Sequence, residues 1–343
     1  MHHSAVSCLL VLLLVACASD GGGNQVSDGG LNAIDGALSG DGGPGGPFPA
    51  SYDCRTNTEV FANTILVPSE SATIRAALSE ASSQGWMSVK ISVAEGHDEG
   101  GLSGNLGVFG NALIVAEVPY KAHIRNIDVG SGDKAQHIQF EGFDIGNAPG
   151  IVIKMDGGRT TDQNVHHITF RNNIIHDSGS SDVVKINAGS HDITMERNIF
   201  YGHNDDTMDL NSVENVFVHD NIFFDKDPGD REFLVIKDST PVGDPDFFKS
   251  TKHAFVRRNI FLSWKGGGNS TMVYLGEDND RDEYAVQDAL IENNLFIGNG
   301  NVGSGFAAPI GMRGVRDVTI RNNTFTGAFE NGRSWAFLAW NIN

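Results

Sequence analysis

The sequence predicts an all-β protein: a single-stranded right-handed parallel β-helix, or solenoid, with a short capping helix at its N-terminal end. The main observation is an internal repeat that reads apolar, any, apolar, polar, polar, Asn, apolar, Phe. Its aligned asparagines follow one another at intervals of 23 to 38 residues: Asn173, Asn198, Asn221, Asn259, Asn294 and Asn323. Short strands between turns at such a period are typical of solenoids.

Two further observations select the β-helix among the solenoids. The repeated segments are rich in Val, Ile, Phe and Thr and alternate with period two, which excludes helical repeats. An asparagine that recurs at a turn can stack on its neighbours and bond to the bent backbone. An earlier, degenerate copy of the repeat carries Phe143 at the asparagine position. The alternative is an Asn-rich β-sandwich, but its repeats would not keep one asparagine column.

The N-terminal end carries a targeting signal. Residues 6–15 form an apolar run that is too short to span a bilayer, and residues 14–17 read Leu-Val-Ala-Cys. These four residues resemble a bacterial lipobox, which implies that Cys17 is lipidated and that residues 1–17 are a lipoprotein-type signal peptide. We therefore expect a location in the bacterial cell envelope or outside the cell, with a lipid anchor in the outer membrane. The alternative is an ordinary cleaved signal peptide.

The rest of the chain divides into a tether and the solenoid. Residues 18–51 are Gly, Asp, Ser and Pro with almost no large apolar residue, which predicts a flexible linker. Residues 52–343 are assigned to the β-helix. Near its start, between residues 72 and 83, apolar residues with helical spacing predict a short amphipathic helix: Ile74, Ala77, Leu78 and Ala81. Such a helix can cover the open apolar end of a solenoid and block pairing at its edge.

Four aspartates are the strongest functional signal. Asp182 stands in the segment SDVVKIN, and Asp205, Asp206 and Asp209 stand in the similar segment DDTMDLN. If the two segments stack as neighbouring coils, the four carboxylates converge on one exposed patch. Hard oxygen ligands of this kind suit Ca²⁺. The alternative for Asp205 and Asp206 is an ordinary role in a turn, where aspartate bonds to its own backbone.

Period-two alternation predicts which side chains share the outer face. One outer column should hold Lys185, Asp209 and Val235, and we expect Lys185 to neutralise Asp209. The parallel column should contain Asn187, Asn211, Lys237 and Arg313. Lys237 is therefore predicted one coil beyond the carboxylates, on the same face.

These segments resemble the β-helical polysaccharide lyases, most closely the family 9 pectate lyases. In that family an Asp on one coil and an Asp-Asp-x-x-Asp group on the next bind Ca²⁺, and a Lys on a following coil is the base. Here Asp205, Asp206 and Asp209 match the second element, Asp182 matches the first, and Lys237 in FLVIKDS matches the base. The chain lacks the family's glycine after Asp206 and the glycines after the lysine. The likeness is close over residues 181–239 and loose over the rest of the β-helix.

The resemblance implies a Ca²⁺-dependent lyase that cleaves a uronate-containing, pectate-like polysaccharide by β-elimination. Four further residues are candidates for holding sugar carboxylates or stacking on sugar rings: Arg231, Lys154, Tyr274 and Arg313. The expected partner is an acidic polysaccharide. We expect the protein to be a monomer and to contact the membrane only through its N-terminal lipid anchor. The net charge of −19 argues against nucleic acid. It also weighs against a polyanionic substrate, although a divalent cation at a local site can override the overall field.

Several alternatives remain open at this point. Family 1 pectate lyases are similar over the same coils, but their Trp-Ile-Asp-His segment is absent here. Family 6 alginate and chondroitin lyases have a lysine at the position of Lys185, but their paired arginine falls near Asn211. A non-catalytic carbohydrate-binding β-helix would use the same face, since fold alone does not decide function. A glycoside hydrolase would use Asp205 with Asp206 or Asp209 as its acid–base pair.

Overall fold

The computed structural model describes residues 61–106, 110–130, 132–158, 165–202, 205–224, 232–238, 250–264, 270–277, 284–298, 307–326 and 337–340. These residues belong to one compact unit that runs from Phe61 to Asn343. The predicted signal peptide, Cys17 and the predicted linker lie outside the described residues, and so do Arg231 and most of the long inserts between strands.

Parallel strands in three sheets confirm the predicted β-helix, a right-handed all-β solenoid. Within the described part of the chain, sheet A has ten strands: β1 (Thr64–Val67), β2 (Ser88–Val93), β4 (Asn111–Ala116), β7 (Ala135–Glu141), β10 (Val165–Arg171), β13 (Ser190–Glu196), β16 (Glu214–His219), β19 (Thr251–Arg257), β22 (Val286–Glu292) and β25 (Val315–Arg321). Sheet B, over the same residues, has eight: β5 (His123–Ile124), β8 (Asp144–Ala148), β11 (Ile174–Ser178), β14 (Ile199–Tyr201), β17 (Ile222–Phe223), β20 (Ile260–Trp264), β23 (Leu295–Gly298) and β26 (Thr324–Thr326). Sheet C has nine described strands: β3 (Gly101–Ser103), β6 (Asn126–Val129), β9 (Ile153–Asp156), β12 (Val184–Asn187), β15 (Met208–Asn211), β18 (Leu234–Asp238), β21 (Ser270–Glu277), β24 (Ala307–Arg313) and β27 (Phe337–Trp340). The chain therefore visits A, B and C in turn, and each coil pairs with the next.

The core fills the inside of the coil with side chains that repeat from turn to turn. On sheet B, one phenylalanine from each of five successive coils stacks on the next with ring centroids 4.8 to 5.0 Å apart: Phe200, Phe223, Phe261, Phe296 and Phe325. Stacked aromatic rings each bury a large apolar area and add a specific contact between coils. Aliphatic residues from sheets A and C fill the remaining space.

The repeated asparagines form a buried ladder at the bend between sheets A and B. Asn221 is typical: its Oδ1 accepts hydrogen bonds from the backbone N–H of Asn198 at 2.8 Å and from the side-chain Nδ2 of Asn198 at 3.2 Å. Its own Nδ2 donates to the carbonyl of Met195 at 2.8 Å. Phe143 takes the first position of the column and donates its N–H to Oδ1 of Asn173. The predicted role of the asparagine column is confirmed, because it satisfies backbone groups that the bend would otherwise leave buried and unpaired.

A helix covers the apolar end of the coil near its start. Helix α1 (Ile74–Ser83) begins after Thr73, whose side chain accepts a hydrogen bond from the N–H of Ala76. The four residues predicted to face inward are all buried: Ile74, Ala77, Leu78 and Ala81. The helix contacts β1 and β2, so it lies where a cap was expected. Among the described residues, no helix is long and apolar enough to cross a membrane.

Candidate functional site

The outer face of sheet C brings the predicted residues onto three neighbouring strands. The register pairs Lys185 on β12 with Asp209 on β15, and Asp209 with Val235 on β18. It also pairs Asn211 with Lys237. Both predicted outer columns are therefore present as far as Lys237, because the alternation of inward and outward side chains determines which residues share a column. Arg313 lies further away than predicted: it ends β24, and the whole strand β21 separates β24 from β18.

A column of carboxylates lies just before these strands. Val184, Met208 and Leu234 pair with one another across β12, β15 and β18. Two residues before each of them stands a carboxylate, in the same order: Asp182, Asp206 and Glu232. Oδ1 of Asp182 accepts the backbone N–H of Asp206 at 3.3 Å, and Oδ1 of Asp206 accepts the N–H of Glu232 at 3.0 Å.

The column continues for one more step. Oε1 of Glu232 accepts the N–H of Thr271 at 3.4 Å. Each of these carboxylates therefore holds the turn of the following coil, as the asparagines do at the other bend. We call Asp182, Asp206 and Glu232 the carboxylate ladder.

Asp205 completes a group that can hold a cation. One carboxylate oxygen from each of Asp182, Asp205 and Asp206 lies within 4.8 Å of the others. Asp182 and Asp206 are almost completely buried, whereas Asp205 is half-buried. Three acidic oxygens at this separation can converge on one Ca²⁺ ion, which takes oxygen ligands at about 2.3–2.6 Å.

The pKa values of Asp206 and Asp182 are both raised, so that ionisation of these buried carboxyl groups is unfavourable. Burial, followed by the neighbouring carboxylate of Glu232, raises the pKa of Asp206 to about 8. Burial also raises the pKa of Asp182, with the carboxylate of Asp209 adding to the effect against the opposing charge of Lys185. Both groups favour a bound proton or a bound cation, because either one removes the repulsion between buried charges.

Asp209 faces two lysines rather than the other three aspartates. Its Oδ2 lies 2.6 Å from Nζ of Lys185 and 3.6 Å from Nζ of Lys237, and the same Lys185 Nζ lies 3.0 Å from Oδ2 of Asp182. Burial alone would lower the pKa of Lys185, but the carboxylates of Asp209 and Asp182 outweigh it and raise this pKa. Lys185 is thus an ammonium that bridges two coils, which matches the neutralising role expected from the sequence.

Two buried oxygens beside this pair have no hydrogen-bond partner among the described residues. They are Oδ1 of Asp209 and Oδ1 of Asn211, each on a side chain that is 2% exposed. A buried acceptor without a partner is costly and needs an explanation. A cation is one explanation, because both atoms are hard oxygen donors on the face that carries the three grouped aspartates. The residues present therefore fit Ca²⁺, and Lys185 lies between two of them, Asp182 and Asp209.

The candidate substrate-binding residues lie on the same sheet at increasing distance. Lys154 on β9 pairs in register with Lys185, one coil before the aspartates. Tyr274 on β21 pairs with Val235, and its ring lies over Gly276 so closely that a Cβ there would overlap it. Because Gly276 pairs with Lys237, the ring of Tyr274 lies on the coil directly after the lysine.

Sequence reasoning missed Glu232. The signal was present, since Glu232 precedes Leu234 by the same two residues that separate Asp206 from Met208. The predicted columns already align Val235 with Asp209 and Lys237 with Asn211, but the segment around Glu232 shares no aligned residue with DDTMDLN, so the match of Glu232 to Asp206 rests on register alone.

Comparisons with known proteins give structural neighbours without a family. A scan against protein-family models found no match, and neither did a search of curated protein sequences. Among solved structures, the surface protein and adhesin PfbA of Streptococcus pneumoniae is 13% identical, with a TM-score of 0.47 over 74% of this chain and 67% of that one. The catalytic domain of a GH87 α-1,3-glucanase in complex with nigerose is 12% identical, with a TM-score of 0.38 over 83% and 71%. An alginate lyase from Paenibacillus sp. str. FPU-7 is 13% identical, with a TM-score of 0.33 over 82% and 99%. These identities are too low to transfer an activity.

Proposed function

We propose that this protein is a Ca²⁺-dependent lyase that cleaves a uronate-containing, pectate-like polysaccharide on the outer face of sheet C. The supporting observation is one arrangement: the carboxylate oxygens of Asp182, Asp205 and Asp206 within 4.8 Å of one another, beside the Asp209–Lys237 ion pair. An acidic metal site next to a lysine suits proton abstraction beside a carboxylate.

Asp182, Asp205, Asp206 and Asp209 are the proposed cation ligands. Bound Ca²⁺ would supply the positive charge that neutralises the substrate carboxylate and the negative charge that develops beside it. For all four aspartates to take part, Lys185 must leave its position between Asp182 and Asp209. This movement is feasible because the Lys185 side chain is 29% exposed and can turn toward solvent.

Lys237 is the proposed base. Its amine takes the proton from C5 of the uronate, the electron pair forms the C4=C5 double bond, the C4–O bond breaks, and the leaving oxygen takes a proton from solvent. A base must be neutral before it can act, and the Asp209 carboxylate at 3.6 Å favours the charged ammonium. A cation held by Asp209 would weaken this stabilisation of the ammonium. The proposed activity of Lys237 therefore depends on the cation through Asp209.

The remaining residues would bind the polymer along sheet C. Lys154 lies on one side of the aspartates, and Tyr274 and Arg313 lie on the other, so a chain that crosses successive coils would meet them in turn. Arg231, which lies outside the described residues, is proposed to bind a sugar carboxylate. Lipidation of Cys17 and attachment to the outer membrane through the 18–51 linker are part of the same proposal.

The test is the absorbance of unsaturated uronides during incubation with polygalacturonate, alginate or chondroitin. We expect absorbance to rise on one of these polymers, to stop when a chelator is added, and to resume when Ca²⁺ is restored. Lys237→Ala should lower the rate by at least about a hundredfold, as expected for loss of a general base. Lys252→Ala, on the strand β19 of sheet A, is the matched control and should keep the wild-type rate. A fully active Lys237→Ala variant would refute the base while leaving the cation site standing.

A hydrolase is the second candidate, and one observation favours it. The pKa of Asp206, raised to about 8 by burial and by Glu232, keeps that carboxyl protonated at neutral pH, as a general acid requires. Asp209, which lies between two lysines, is the candidate for the second carboxylate. New reducing ends without ultraviolet absorbance would identify hydrolysis. Neither signal on any polymer would indicate a binding role for this face.

A further inference from the structure

Sheet A carries a left-handed residue near the start of successive strands. The φ angle is 55° at His137 in β7, 54° at His167 in β10 and 53° at Asp192 in β13. In a regular strand, consecutive side chains point to opposite faces. A left-handed residue of this kind interrupts the alternation, as a bulge does. Each of these coils can therefore present two consecutive side chains on one side.

Five side chains meet on the outer face of sheet A through this geometry. We call them the histidine cluster: His137, His166, His167, His191 and Asp192. Nδ1 of His166 lies 2.8 Å from Nδ1 of His167. The rings of His166 and His191, which pair in register, stack at 4.9 Å. Three successive coils thus contribute ring nitrogens to one patch.

The separations between possible ligand atoms are short throughout the cluster. One nitrogen from each of His137, His166 and His167 lies within 4.8 Å of the other two. The same holds for His167, His191 and Asp192, so that His167 belongs to both groups. Ligand atoms around a tetrahedral Zn²⁺ are roughly 3.3 Å apart, given bonds of about 2.0–2.1 Å to nitrogen. Binding would therefore draw these partly exposed rings closer together.

From this arrangement we infer that the histidine cluster is a binding site for a divalent transition metal of the Zn²⁺ type, which ties three successive coils together. The donor set decides the class of metal. Imidazole nitrogens with one carboxylate suit Zn²⁺ and its neighbours in the first transition row, whereas Ca²⁺ takes oxygen ligands. The site is therefore distinct in place and in chemistry from the aspartates of sheet C, and it does not depend on the proposed lyase activity.

The surroundings of the cluster support this assignment. The Asn215 side chain, at the same left-handed position one coil later, donates to Oδ1 of Asp192 at 3.0 Å. Partners of this kind orient a metal-binding carboxylate.

The test is a Zn²⁺ titration of the full chain, purified without a polyhistidine tag, by calorimetry at pH 7.5. The variants keep the backbone conformation: His167→Asn, because asparagine tolerates the left-handed region, and His166→Gln, because Gln136 stands in register with it one coil earlier. The matched control is His253→Asn, which changes a left-handed histidine further along the same sheet. Co²⁺ provides a second measurement, since its visible absorption reports nitrogen coordination directly.

We expect one tight Zn²⁺ site per chain, with affinity at least tenfold weaker in each of the two cluster variants and unchanged in His253→Asn. Thermal melting without metal confirms that each variant is folded, and Zn²⁺ should raise the melting temperature of the wild type more than that of the variants. Equal Zn²⁺ affinity in wild type and both cluster variants would overturn the inference. So would an equal loss in His253→Asn, which would reveal non-specific binding to surface histidines.

Discussion

Nζ of Lys185 lies 2.6 Å from Oδ2 of Asp209, on the neighbouring coil of sheet C. The same ammonium lies 3.0 Å from Asp182 on its own coil. It therefore occupies the space between the two carboxylates that a shared cation would need. If the proposed cation binds there, it competes with the Lys185 ammonium for the same two carboxylates, and this makes removal of the lysine informative.

Lys185→Met should destabilise the protein without Ca²⁺ and stabilise its complex with Ca²⁺. Removing one partner of a buried ion pair leaves the other charge unpaired, which costs about 3–5 kcal/mol when both are buried. We expect a smaller loss of about 1–3 kcal/mol, because Lys185 is partly exposed and Lys237 remains near Asp209. Urea unfolding with and without Ca²⁺ measures both effects.

The control is Lys154→Met, which removes the lysine at the same register position one coil earlier. It should change neither the Ca²⁺ affinity nor the stability to a comparable extent. A fall in Ca²⁺ affinity in Lys185→Met would show that the lysine supports the cation site instead of competing with it.

Asp206 should make stability fall as the pH rises. Its pKa is about 8 in the folded protein, where burial and Glu232 favour the protonated form, against 3.8 as the ordinary value. The folded chain thus binds this proton more tightly than the unfolded chain. Its contribution to the free energy of unfolding is complete below about pH 4 and is lost as the pH rises through about 8.

Asp206→Asn should flatten this dependence, removing a decline of roughly 2–4 kcal/mol between pH 5 and pH 9. Urea unfolding across that range measures it. Asp156→Asn changes a carboxylate on the same sheet that bonds locally to the N–H of Gly158, and it should retain the wild-type slope. An unchanged slope in Asp206→Asn would mean that Asp206 is ionised in the folded protein at neutral pH.

Replacing an asparagine of the buried ladder should lower the free energy of unfolding most at the centre of the ladder. Asn221→Ala leaves the N–H of Asn198 and the carbonyl of Met195 buried without their partners. We expect a loss of about 3–5 kcal/mol in the free energy of unfolding, because several buried polar groups become unsatisfied together. Asn323→Ala, at the last described step of the ladder, is the comparison and should cost less, since Asn323 is only partly buried. Equal losses would show that burial does not govern the ladder.

The fold could be predicted from the sequence because residues with the same physical role recur at the same position of successive coils. Asn173 and its equivalents mark the same bend in six successive coils, and period-two alternation gives the inward and outward faces from Met208 to Leu210. Unequal spacing between the repeats did not obscure this pattern, because the strands on either side of the longer intervals still pair in register. The helix was equally readable, since Ile74, Ala77 and Leu78 share one face.

The sites were harder to predict, for two different reasons. The position of the Lys185 ammonium between Asp182 and Asp209 depends on side-chain conformations, which cannot be predicted from the spacing of residues. The histidine cluster depends on left-handed residues at His137 and His167, which place consecutive side chains on one face. Strict alternation assigns such neighbours to opposite faces, so a period-two pattern does not predict that these rings come together.

Two carboxylates compete for the role of fourth cation ligand, and their variants should behave differently. Asp209 has an unpartnered buried Oδ1 among the described residues, whereas Glu232 already accepts the N–H of Thr271. Asp209→Asn should therefore weaken Ca²⁺ binding by at least tenfold in calorimetric titrations at pH 7.5, since a neutral amide is a poorer ligand.

Glu232→Gln should act through Asp206 instead. Removing its charge lowers the pKa of Asp206, because the Glu232 carboxylate is the second cause of its elevation after burial. Ca²⁺ binding in Glu232→Gln should thus persist to lower pH than in the wild type. If Glu232→Gln abolishes binding at every pH while Asp209→Asn retains it, the fourth ligand is Glu232 and not Asp209. Cation binding would then leave the Asp209–Lys237 ion pair in place, and the proposed base would lose its link to the metal.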